Sequence, residues 1–140
     1  MSTDEAIETM PATPAGRTGW TTFAAIMLLI AGVTNALWGW AALRDANAWG
    51  DYRPIADATF VGPLEFWGWT ALMWSVAVII GSVLLFMNHK SGQVLGITLA
   101  ALSAVFWLLV LATFPLMAVA ALAIDIIIIY GLAVHWEEPA

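Results

Sequence analysis

Between Val94 and Val134 the chain runs for 41 residues with a single charged side chain, Asp125. As one helix that stretch would measure about 60 Å, twice a hydrocarbon core of roughly 30 Å. It therefore has to fold back on itself. Pro115 stands near its middle, lacks an amide hydrogen and disfavours helix in the residue before it. The turn is predicted at Thr113-Phe114-Pro115, with spans over about 94–114 and 116–134.

Two more apolar runs precede it. Trp20 to Leu43 is 24 residues, about 36 Å as a helix, and Phe66 to Met87 is 22, so each crosses once. The expected fold class is an all-α membrane protein, a four-transmembrane-helix antiparallel bundle with both termini on the same side, because four crossings return the chain to where it began. Composition agrees: 62% of the 140 residues are apolar and 10% charged, against roughly 45–50% and about 25% in a soluble domain. A large soluble catalytic domain is excluded.

The remaining segments read as connections. Residues 1–19, polar and interrupted by Pro11, Pro14 and Gly16, are expected to form a disordered tail. The membrane domain then covers 20–136, with a long loop over 44–65, a polar hinge over 88–93 and a short tail over 137–140. Trp49, Tyr52 and Phe60 are expected to hold the long loop at the headgroups. The first apolar run is too long, and its leader too acidic, for a cleaved secretory signal.

Charge separates by region. Seven of the ten carboxylates lie in the amino tail and the long loop, two near the carboxyl end, and Asp125 alone within a span. Basic residues tie at two against two, Arg17 and Lys90 on the side of the termini and Arg44 and Arg53 on the other, so they do not set orientation. The acidic loop and the leader favour cytoplasmic termini in the plasma (inner) membrane. The four basic residues form no cluster that could follow a phosphate backbone, so no nucleic-acid partner is expected.

Helices in lipid gain little from hydrophobic burial against one another; close approach at small residues and a few hydrogen bonds hold them together. Packing seams are expected at Gly32, Ala36 and Gly39 in the first span, with Asn35 beside them, and at Gly68, Ser75 and Ser82 in the second. The third carries Gly92, Gly96, Ala100 and Ser103 followed by Trp107; the fourth places Ala118 and Ala121 on the Asp125 face.

Asp125 lies nine residues from each end of the last span. A carboxylate facing lipid at that depth costs several kcal/mol, so it should face the bundle and find a partner. Asn35 lies eight residues before Leu43 and is the expected partner in an intramembrane polar pair, with Trp74 and Trp107 as aromatics in the same layer. A hydrogen-bonded clip fixing helix register is the structural interpretation; a protonation switch or cation site is the functional one.

No other chemistry stands out. There is no cysteine, His89 and His135 are expected at the interface rather than in a metal site, and no phosphate loop or nucleophile elbow occurs. No catalytic residue, metal or cofactor is therefore expected, and the chain is not expected to be an enzyme. Most of the nine tryptophans sit near span ends, as an interfacial belt requires.

With these positions placed, the chain resembles a family of small actinobacterial four-span integral membrane proteins that carry a domain of unknown function. The resemblance rests on Gly19-Trp20-x-x-Phe23-Ala24 with Gly32, Asn35 and Gly39, on Trp67-Gly68-Trp69, on Gly96-Ile97 with Ala101-Leu102-Ser103, and on Pro115, Ala123-Ile124-Asp125 and Ala133-x-His135. It covers about residues 19–136; Asn88-His89-Lys90 stands where such relatives carry arginine, and the long loop matches poorly. It implies a four-helix plasma-membrane protein and adds no activity. Two functions are expected: a non-enzymatic membrane component packing through its seams, in a homo-oligomer or a larger membrane complex among lipid, or a small proton- or cation-coupled transporter using Asp125.

Overall fold

The computed structural model describes residues 2–3, 19–44 and 64–136. The readings made above for most of the amino tail, for loop residues 45–63 and for 137–140 lie outside the described residues. The architecture is all-helical: α1 (Gly19–Arg44), α2 (Leu64–Phe86), α3 (Lys90–Leu109) and α4 (Pro115–Val134). Each is long and apolar enough to cross a membrane. A helix satisfies every interior backbone donor and acceptor within itself, which is why such apolar runs fold this way in lipid.

Polar side chains on these helices follow the same rule. Thr70 and Thr98 donate to the carbonyl oxygens of Phe66 and Val94 at 2.8 Å, four residues back. Their hydroxyls thus face the lipid side already satisfied. At the end of α1 the Arg44 guanidinium lies 5.2 Å from the centroid of the Trp40 ring, near the carbonyl end of the helix where a cation is favoured.

Two connections differ from expectation. The polar stretch 88–93 is not all hinge: only Met87, Asn88 and His89 connect α2 to α3, and Gln93 is already helical. Asn88 takes the left-handed conformation, φ 54°, while its amide donates to Leu85 O and the amide of His89 donates to Leu84 O. This pair of bonds caps the last carbonyls of α2 and reverses the chain in three residues. The second turn starts earlier than proline chemistry alone suggests. α3 ends at Leu109, Thr113 and Phe114 both donate to Val110 O, and Pro115 is the first residue of α4. The missing amide of Pro115 falls where a helix has no internal acceptor for it.

The α1–α2 pair is the most intimate. A Cβ on Gly39 would stand 2.8 Å from Gly68 O, and one on Gly32 would stand 2.6 Å from Ile79 Cγ1. Further along, Ser82 Oγ donates to Ala25 O at 2.7 Å. Contacts climb α1 as they descend α2. On α2 the stripe Gly68, Ala71, Ser75, Val78, Ser82 and Leu85, at steps of three and four, is buried throughout. Between α2 and α3, Gly92 packs on the backbone of Leu84 and Leu85; between α3 and α4, Gly96 meets Leu132. The core gathers at one half of the molecule, around Ala24, Leu28, Val78, Leu85, Leu99, Ile128 and Leu132.

The expected seams fall on these interfaces. Gly32, Gly39, Gly68, Ser75, Gly92, Gly96 and Ala100 are buried, whereas Ala36 and Ser103 are half-buried. Trp20, Trp40 and Trp69 are exposed as a belt requires. Trp38 and Trp67, assigned above to the belt, are instead half-buried, because the helical period turns them towards the bundle.

Candidate functional site

Asp125 is 8% exposed, the one buried charged residue of the described chain. It lies on α4 in the stripe Ala118, Ala121, Asp125, Ile128 and Leu132, whose three-four spacing aims it inward. Its side chain is hydrogen-bonded to Ser103 of α3. The other oxygen, Oδ2, is buried without a hydrogen-bond partner. One orphan acceptor or hydroxyl in a region this dry costs about 1–3 kcal/mol.

The expected Asp125–Asn35 pair is not what the structure makes. Asn35 Nδ2 donates to Ala31 O at 2.9 Å, within its own helix. Position along a helix fixes depth and leaves azimuth open, and Asp125 is turned to the α3 seam. The depth also differs. Gly32 lies against Ser75, and Ser103 pairs with Asp125, so stepping round the bundle sets Asn35 about one helical turn, roughly 5 Å, from the Asp125 level. Trp107 is likewise one turn beyond Ser103, while Trp74 neighbours Ser75; both tryptophans are half-buried.

Ser103 is the functional residue the sequence placed without assigning. It was visible as the last small residue of the α3 seam, and a hydroxyl on a seam that faces an acid-bearing helix is the signal that could have paired it. A second polar clip was also missed. Gln93 Nε2 donates to Leu132 O at 2.7 Å, tying the start of α3 to the end of α4. It had been assigned to the hinge.

At that same end Trp20 forms an aromatic cluster with α4. Its ring lies 6.4 Å from Phe23 and 6.2 Å from Tyr130, both edge-on, and stacks on His135. Among the described residues no three His, Asp or Glu side chains converge as a metal site would require. An open groove of about 510 Å³, lined by Leu84, Ser91, Val94, Leu95 and Thr98, lies on the α2–α3 side and does not include Asp125.

Four membrane-capable helices, locked by glycine seams and carrying one buried acid bonded across a helix interface, define a polytopic integral membrane protein of the small-bundle class. Within that class the chain belongs to the family described as Domain of unknown function (DUF7144), which matches residues 20–137. No curated protein and no solved structure matches it.

Proposed function

We propose that the chain is a non-enzymatic component of the plasma membrane whose four helices pack antiparallel through their small-residue seams. Both termini then lie on the cytoplasmic side, as the acidic long loop favours. The resemblance in motif order supports an actinobacterial membrane. The observation that carries this is the α2 stripe from Gly68 to Leu85, buried at every step. Seams spent on self-packing support a bundle that stands alone and meets neighbours, a second copy or a larger complex, through its outer face.

In this role Asp125 and Ser103 form a register clip. Asp125→Asn is expected to leave folding and association nearly intact, because the amide still accepts from the serine. Pull-down of tagged wild type and variant in mild detergent tests it; loss of the companions in the variant would overturn it.

A second role is favoured by one observation, the unpartnered Oδ2 of Asp125. An acid with an unused oxygen inside a membrane suits a proton- or cation-coupled transporter. There the same substitution abolishes a pH-dependent flux in proteoliposomes while assembly persists.

A further inference from the structure

The α1–α4 interface is closed at one end and open at the other. At the closed end the Cβ position of Gly131 is 3.0 Å from the Trp20 ring. Moving away from it along α4 in steps of seven residues, Gly131 is buried, Ile124 is 36% exposed and Met117 is 64% exposed. The matching line on α1 behaves alike: Ala24 is fully buried, Ala31 is exposed and Trp38 is half-buried. Residues seven apart share one helix face, so both faces part company beyond Leu28. The result is a lateral cleft between α1 and α4 at membrane depth. Asp125 adjoins Ile124 at its inner end, Asn35 stands about one turn nearer the mouth, and Trp38 flanks it.

The polar groups here are short of donors. Asp125 Oδ2 has none, and Asn35 has committed its amide nitrogen to Ala31 O, which leaves its carboxamide oxygen to accept. A lipid tail brings no donor. We propose that the α1–α4 cleft binds a lipophilic ammonium ion, its charged nitrogen between the Asp125 carboxyl and the Asn35 carboxamide oxygen and its apolar body against Trp38 and Ile124. Asp125 keeps Ser103 on one oxygen while a turn of its carboxyl, about a torsion with a broad minimum, brings Oδ2 to the cleft. The Trp38 ring supplies the aromatic face that favours organic cations. This deepens the transporter role by naming its substrate class.

The test uses the full chain in lipid nanodiscs, with 4-phenylbutylammonium as probe and the neutral 4-phenylbutanol as its control, binding being read by calorimetry against empty nanodiscs. Saturable binding of the ammonium is expected, with the alcohol at least 10-fold weaker. Asp125→Asn weakens the ammonium at least 10-fold. Ala31→Leu fills the cleft and does the same with Asp125 intact, at an exposed position that tolerates a larger side chain. Absence of saturable binding, or equal binding by Ala31→Leu, overturns the proposal. So does an interchain disulfide in Ala31→Cys, which would put a second copy in the cleft; the native chain has no cysteine to confuse it. Flux that depends on Asp125 without ammonium binding would sink this substrate and leave proton transport standing.

Discussion

The indole of Trp20 lies stacked on the imidazole of His135, with 5.0 Å between ring centroids and 26° between planes. This contact joins the first turn of α1 to the cap of α4, at the end where those two helices touch. Trp20→Ala is expected to destabilise the folded bundle by about 1–2 kcal/mol, less than a fully buried aromatic because the ring is partly exposed. Trp20→Phe keeps most of the contact. Thermal unfolding in one detergent, followed by circular dichroism, separates the two.

The glycines divide by what a methyl group would meet. Gly39→Ala and Gly92→Ala drive a Cβ to 2.8 Å and 2.7 Å from backbone atoms of the neighbouring helix, which cannot swing aside. Gly19→Ala meets nothing within 4 Å. The first two should cost about 1–3 kcal/mol and the third nothing measurable. Equal melting temperatures for all three would contradict the close packing of α1 on α2 and of α2 on α3.

Asn88 occupies the left-handed position that ends α2. Asn88→Val is expected to cost about 1–2 kcal/mol, since a β-branched residue crowds its own carbonyl there. Asn88→Gly should match or exceed the wild type in stability. A titration from mild detergent into sodium dodecyl sulphate reads both.

Three side chains bridge helices: Ser82 to Ala25 O, Gln93 to Leu132 O, and Ser103 to Asp125. Ser82→Ala and Gln93→Leu should each cost about 0.6–2 kcal/mol, because the carbonyl each leaves keeps its own helical bond. Ser103→Ala should cost more, about 1–3 kcal/mol, as it strips the buried carboxyl of its bridging donor. Asp125→Asn in a Ser103→Ala background should no longer resemble wild type, which a double-mutant cycle measures.

The number of crossings was determined by sequence alone, since lipid requires each apolar segment to satisfy its backbone internally and that depends only on local composition and length. The reversal near Pro115, the glycine seams and the inward placement of Asp125 were legible for the same reason: period and spacing are properties of one helix. Tertiary structure alone decided which helix Asp125 faces, that Ser103 rather than Asn35 bonds it, that Gln93 is a clip rather than a hinge, and that α1 and α4 part beyond Ala31. Those outcomes depend on the rotation and tilt of each rod against its neighbours. Many weak contacts set that geometry together, and no single segment encodes it.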